Sequence, residues 1–319
     1  MTASNAEFIV ANLEFDSIKS NLKAYLSSQS YFNDYNFEGS NLNVLLDVLS
    51  YNTYYNNIYL NHVASEMFLD SAQVRDSVYS HAKKLNYLPT SYRSSVAYAN
   101  VQITPGDNPH SIDIPRLTKF TSTVGDNTYT FSTNTAHTVY SNNSYLAANI
   151  ALFEGEIVTE FYDSNSTSNT FFINNYDVDT TSITVSIRTS NTNTTNTEWS
   201  RANSLFNVGS TSNVFFVQAA ANGSYELVFG NDTFGRKLTD GNIVEATYRV
   251  ASGAEPDGAN TFTSAGAISG YSTVAATVVE RAAGGQEYQT LDDIKFAAPR
   301  ALTTQERAVT ANDYKTMVQ

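Results

Sequence analysis

No cysteine occurs anywhere in the 319 residues. Disulfides, thiolate-bound zinc, iron–sulfur clusters and cysteine nucleophiles are excluded together. Charge is sparse: Asp, Glu, Lys and Arg make up 15% of the chain, against roughly 25% in an ordinary soluble domain. Positive charge is the scarcer sign, with 18 Lys+Arg against 31 Asp+Glu and a net charge of −13. That balance argues against nucleic acid or an anionic membrane as a partner, because both are gripped through basic surface. No stretch approaches the ~20 apolar residues of a membrane-spanning helix. The opening residues, Met1 to Glu7, contain neither the basic nor the apolar region of a secretory leader. What is abundant is Asn, Ser and Thr, together with 21 Tyr and 18 Phe. Aromatic content of that order is foreign to disordered chains.

The first ninety or so residues carry helical periodicity. Phe15, Ile18, Leu22, Tyr25 and Leu26 recur on one face, with Asp16 or Ser17 placed to cap the start. A second helix is expected from Gly39-Ser40, Ser40 serving as N-cap. Its Leu42, Leu45, Leu46 and Leu49 form one stripe and its Val44, Val48, Tyr51 and Tyr55 another. A helix apolar on more than one side is covered by several neighbours, either from its own chain or from other subunits. A third helix is expected from Ser71 to Asn86, with Val74, Val78, Ala82 and Leu85 as its face and Asn86 as its C′ residue before Pro89.

From Ser94 to about Arg281 the pattern changes to short alternating runs broken by Gly, Asn, Asp and Ser. This predicts antiparallel sheets in sandwiches or small barrels. Expected strands include Val96–Ile103, a hairpin-like arrangement around Gly125-Asp126-Asn127, a single run from Ile150 to Tyr162, Thr170–Ile173, Ile183–Arg188, Val214–Gln218, Tyr225–Phe229 and Ile243–Val250. Thr189 to Thr197 reads as a loop tip and Gly253 to Gly270 as a linker or extended arm. A short helix around Leu291–Ala297 is expected to halt before Pro299. Thr310-Ala311-Asn312-Asp313 then has the form of a capping pattern for a further helix, close to the last residue. That placement predicts that the natural chain is longer. The fold class is thus α+β: a helical N-terminal region over 1–92, a mainly antiparallel β body over 93–285 with room for two subdomains, and the start of a further domain over 286–319.

Chemistry is hard to find. The histidines at 62, 81, 110 and 137 form no ligand pair. The segment from Gly230 to Leu238 has the glycines of a phosphate loop but lacks Gly-Lys-Ser/Thr in register and joins two strands. Adjacent carboxylates such as Glu154/Glu156, Asp177/Asp179 and Asp292/Asp293 would suit a glycosidase only across a cleft; in an acidic chain they read first as solvated charge. No catalytic, cofactor or metal site is expected, and no enzymatic activity.

Three segments resemble the baseplate wedge subunits of contractile-tailed phages, within the wider baseplate J-like family. The first is Phe37-Glu38-Gly39-Ser40-Asn41-Leu42 through Tyr51-Asn52-Thr53 and on to Leu85-Asn86-Tyr87-Leu88-Pro89. The second is Val228-Phe229-Gly230-Asn231-Asp232-Thr233-Phe234-Gly235-Arg236 through Asp240-Gly241-Asn242, with Asp232 where the family often has glycine. The third is Ala298-Pro299-Arg300-Ala301 followed by Gln305 to Tyr314. The resemblance implies a structural virion subunit of the tail baseplate, assembled in the host cytoplasm. Its implied partners are a second copy of itself, other wedge subunits through a helical bundle, neighbouring wedges, and the tail hub. It would help close the inner baseplate ring and relay the conformational switch to the sheath. Leu42, Leu45, Leu46, Leu49, Val44, Val48, Tyr51 and Tyr55 are the bundle candidates. Gly230, Gly235 and Gly241 are expected to serve turn geometry within a Phe229–Ile243 hairpin. A baseplate component of another contractile injection system, or a receptor-binding tail fibre, are the alternatives.

Overall fold

The computed structural model describes residues 11, 13–32, 36–165 and 168–304. The helices are α1 (Phe15–Ser27), α2 (Leu42–Glu66), α3 (Arg75–Lys84) and α4 (Leu291–Thr304). Between α3 and α4 run fifteen strands: β1 (Val96–Ile103), β2 (Ser111–Ile114), β3 (Lys119–Val124), β4 (Asn127–Thr133), β5 (His137–Tyr140), β6 (Leu146–Glu154), β7 (Glu156–Asp163), β8 (Thr170–Ile173), β9 (Val178–Arg188), β10 (Thr197–Arg201), β11 (Val214–Ala219), β12 (Tyr225–Phe229), β13 (Ile243–Val250), β14 (Thr263–Ser264) and β15 (Val274–Ala283). The chain divides into two compact units. Among the described residues, one unit holds α1–α3, Ala221–Gly223 and α4 from Ile294 onward, and the other holds every strand.

In the helical unit α1 and α2 run antiparallel. Phe15 meets Tyr51 edge-on at 6.3 Å, Lys19 pairs with Asp47, and Lys23 pairs with Glu38. The buried Asn61 amide exchanges two bonds with the main chain of Ala11, at 2.9 and 3.0 Å. The expected caps are not formed. Glu14 occupies the N-cap of α1 and accepts from Ser17 Oγ, and Ser40 Oγ turns back to the Phe37 carbonyl, so α2 starts after Asn41. The third helix is shorter than its periodicity suggests. Ser71 Oγ donates to the Ser65 carbonyl, and the Gln73 and Val74 amides donate to the Glu66 carboxylate. Those bonds hold Val74 extended, and the helix begins at Arg75. α4 runs through Pro299 rather than halting before it. A proline there withholds the main-chain donor that the carbonyl of Lys295 would otherwise receive; the Arg300 guanidinium donates to the next carbonyl, that of Phe296, at 2.5 Å.

The β unit contains two curled sheets and a small two-stranded one, β2–β5. The six-stranded sheet has the order β14-β3-β4-β6-β1-β15, all antiparallel. An isolated bridge between Phe262 and Ala276 ties its two ends together. It wraps one core in which Phe131 and Phe262 meet edge-on at 4.9 Å. Ala259, Phe262 and Ile268 belong to that core, so Gly253–Gly270, read as a linker or extended arm, is neither: it turns over 253–258 and then packs against the sheet, pairing through β14. The β3–β4 turn has Gly125 at φ 59°, as a tight two-residue hairpin requires.

The seven-stranded sheet has the order β7-β13-β9-β10-β11-β12-β8, with only β10–β11 parallel. Its end strands approach through side chains: Tyr162 donates to the Phe172 carbonyl at 2.9 Å and packs on Phe171. The expected single run Ile150–Tyr162 is two strands in two sheets. Gly155 at φ 115° breaks it, and a side chain there would lie 2.7 Å from the Val250 carbonyl.

Arg249 joins the two large sheets. From β13 its guanidinium donates to Ser132 Oγ at 2.6 Å, the Phe153 carbonyl at 3.2 Å and Asn134 Oδ1 at 2.6 Å. Burial pulls it down to about 10, against the pull of the Asp179 and Glu154 carboxylates.

Candidate assembly surface on the second helix

Only part of α2 is buried by its own chain. Leu46, Ser50, Asn61, Ala64 and Ser65 face inward. The opposite side is open and apolar: Val44, Leu45, Val48, Leu49, Tyr51 and Tyr55 are all exposed, Val44 at 63% and Leu45 at 58%. Leu46, grouped with them by periodicity, is 2% exposed. It belongs to the inner face, with Ser50, Asn61, Ala64 and Ser65. Leu42 is half-buried. The open arc extends past the expected residues to Tyr59, Leu60, Val63, Met67 and Phe68. Continued spacing along the helix was the available signal for these.

The arc is also nearly without charge. From Val48 to Ser65 no residue is Asp, Glu, Lys or Arg. Its polar groups are amides and hydroxyls, paired along the helix: Tyr51 and Tyr55 hydroxyls at 3.0 Å and Asn56 Nδ2 to Asn52 Oδ1 at 3.0 Å. A monomer seldom leaves a contiguous apolar surface of more than a few hundred Å² in water. An apolar arc with hydroxyl and amide rungs suits a helical neighbour rather than a small molecule.

The helix ends are locked locally. The Glu66 carboxylate accepts from the first amides before α3, and His81 on α3 hydrogen-bonds the Glu66 carbonyl at 3.0 Å. Burial pushes the Glu66 carboxyl up, but hydrogen bonds from Ser77, Gln73 and Val74 outweigh it and hold it below the ordinary carboxylate range.

Residues 14–87 match the family model for the baseplate wedge protein gp6-like helical domain. Over 350 aligned positions the chain is 30% identical to baseplate wedge protein gp6 of Enterobacteria phage T4, and the match takes in 99% of the chain. The chain is thus similar to phage baseplate wedge proteins. It spans about half, 51%, of that relative's length. Among solved structures it aligns with a chain of the anti-feeding prophage baseplate at 12% identity and a TM-score of 0.34, covering 96% of this chain and 63% of that one. The exposed arc of α2 lies within the matched helical domain.

The glycine-rich segment resembling the family is a closed turn, not a ligand loop. Gly235 and Gly241 have φ of 80° and 82°, and Asp232 shares that region at 64°. A side chain on Gly230 would sit 2.2 Å from the Gly235 carbonyl. The amides of Asp232, Thr233, Phe234, Gly235, Arg236 and Lys237 all donate within the protein, so none is left to cradle a phosphate. The segment is not a hairpin: β12 pairs with β11 and β8, and β13 with β7 and β9.

The carboxylate neighbours also fail to face a shared cleft. Glu154 is buried and accepts from the Ser252 amide, whereas Glu156 is exposed. Asp179 is buried and binds Ser94, whereas Asp177 is exposed. Asp293 caps α4 with Thr290. Among the described residues no group of three or more His, Asp or Glu is placed to hold a metal, and no helix is long and apolar enough to cross a membrane. The capping pattern at Thr310–Asp313 and most of the third family segment lie outside the described residues.

Proposed function

We propose that the chain is a structural subunit of the baseplate wedge of a contractile tail, acting through contacts with other subunits rather than through an active site. The observation that carries this is the uncharged apolar arc of α2, inside the segment that matches the wedge helical domain. In this reading region 1–92 is the assembly module. Val44, Leu45, Val48, Leu49, Tyr51 and Tyr55 pack into a helical bundle with a second copy and with other wedge subunits. The β body over 93–285 carries contacts to neighbouring wedges and the hub, and movement of the closed ring reaches the sheath through it. Covering the arc would gain the transfer free energy of each buried Leu or Val, about 1.5–3 kcal/mol per side chain before the cost of association.

The test is L45D/L49D in the full chain, mixed with the other wedge proteins of the same particle. Both positions are exposed, so the fold should survive by circular dichroism while wedge assembly is lost. Assembly that proceeds undiminished would refute the bundle.

A further inference from the structure

The chain contains a single Asn-Gly pair, Asn222-Gly223, and two Asp-Gly pairs, Asp240-Gly241 and Asp257-Gly258. Each places a side-chain carbonyl carbon next to a main-chain nitrogen that no Cβ shields. Ring closure between the two needs that nitrogen. Gly241 N donates to the Ser164 carbonyl at 3.2 Å and Gly258 N to the Ala282 carbonyl at 2.7 Å. Asp257 Oδ1 is itself held by Ser95 and Gly285. Of the three glycine nitrogens, Gly223 N alone donates to nothing among the described residues.

Asn222-Gly223 lies at the tip of the β11–β12 hairpin. Pairing ends at Ala219 and Tyr225, and Ala220 N donates to the Ser224 carbonyl at 2.9 Å. Gly223, at φ 73°, is the left-handed residue that closes a short hairpin loop. Asn222 is exposed and Gly223 is buried. The tip belongs to the helical unit, with α3. Arg75 Nε donates to the Gly223 carbonyl at 2.7 Å. Arg75 is braced in turn, its guanidinium 4.8 Å over the Tyr79 ring and its Nη2 bonded to the Tyr79 hydroxyl at 3.1 Å. Asp76 flanks the same glycine: its Oδ1 lies 2.8 Å from the point where a Cβ on Gly223 would stand. A carboxylate there reaches the Gly223 amide directly or through one water, as general-base catalysis requires.

We propose that Asn222 is a site of self-catalysed deamidation, with Gly223 N as nucleophile and Asp76 as base. Asp76 takes the Gly223 amide proton, the nitrogen bonds to Asn222 Cγ, and the Cγ–Nδ2 bond breaks. The proton passes to the departing nitrogen, which leaves as ammonia. Water then opens the cyclic imide at either carbonyl and leaves aspartate or isoaspartate at position 222. Both products add a negative charge close to Asp76. Isoaspartate also lengthens the main chain by one methylene, inside a loop closed by the Ala220–Ser224 bond and gripped by Arg75. The modification therefore loosens the hold of Arg75 on the hairpin tip.

The test follows the full-length chain, folded and in urea, through incubation near neutral pH. Peptide mass spectrometry reads the exchange of amide for carboxyl at every Asn, and elution separates isoaspartate from aspartate. In the folded chain position 222 is expected to convert before any other Asn, and faster than in urea. D76N, with its fold checked by circular dichroism, should slow the folded chain about tenfold or more and leave the urea rate unchanged. D76E, which keeps a carboxylate, should recover part of the loss. Hydrogen exchange on the converted fraction should be faster at the start of α3. Slower conversion folded than in urea would overturn the proposal, because the turn would then protect Asn222. So would equal folded rates in D76N and the parent chain, or another Asn converting first.

Discussion

The main-chain carbonyl of Glu66, at the end of α2, is hydrogen-bonded at 3.0 Å by His81 Nε2, one α-turn from the end of α3. The Glu66 side chain reaches the other way and accepts from Gln73 N at 2.8 Å and from Val74 N at 3.3 Å. One residue thus serves the open end of its own helix and the opening of the next, which fixes the α2–α3 corner beside the exposed arc.

E66A should cost about 1 kcal/mol of stability, the usual net worth of a hydrogen bond, measured by urea denaturation of the full chain followed through helical ellipticity. The Glu66 carboxyl is depressed in the folded state. Its contribution is therefore fully present above its unfolded value of 4.5 and is lost as pH falls through the lower folded value. The difference between E66A and the parent chain should shrink as pH falls below 4.5.

Leu45 and Leu46 are adjacent in sequence and opposite in role. L46A removes a buried side chain and should cost about 2–5 kcal/mol, read from the denaturation midpoint. L45A, on the open side, should leave that midpoint within about 0.5 kcal/mol and act only on assembly.

Arg249 bridges the six- and seven-stranded sheets from a 3% exposed position. R249A leaves Ser132 and Asn134 without their donor and should cost about 3–5 kcal/mol, with both sheets loosening together in hydrogen exchange. Glu154 nearby has its carboxyl raised by burial, against the hydrogen bonds from Ser252 and the attraction of Arg249. Its contribution is fully present below the unfolded value and is lost as pH rises through the raised folded value. E154Q should reduce that loss, visible as a flatter thermal midpoint against pH on the alkaline side of 4.5.

Two glycine substitutions separate turn geometry from mere glycine content. G230A drives a methyl into the Gly235 backbone and should cost about 3 kcal/mol or more by the mechanism of overpacking. G106A meets nothing within 4 Å and should leave the thermal midpoint unchanged.

Asn86 stands at φ 55° just after α3, where the sequence places a C′ residue. Helix periodicity, alternation in the strands and the turn at Gly125 were likewise legible, because each depends on neighbours a few residues away. The start of α3 was not: the Gln73 and Val74 amides just ahead of it are claimed by Glu66, several residues upstream. Nor was the break at Gly155, where the run continues apolar and only the approach of Val250 requires a glycine.

The α+β order, the missing cysteines, the sparse charge and the apolar wealth of the second helix belong to the sequence itself, and the wedge motifs with them. Which side of that helix remains open was decided only in three dimensions. Leu45 and Leu46 are the same residue type and periodicity puts them in one stripe, yet they point about 100° apart around the helix, and only Leu46 is buried. Likewise Arg249, Ser132 and Phe153 are far apart along the chain, and no local pattern announces that one buried guanidinium joins their two sheets. Burial is a property of what lies opposite, and what lies opposite is set by long-range pairing.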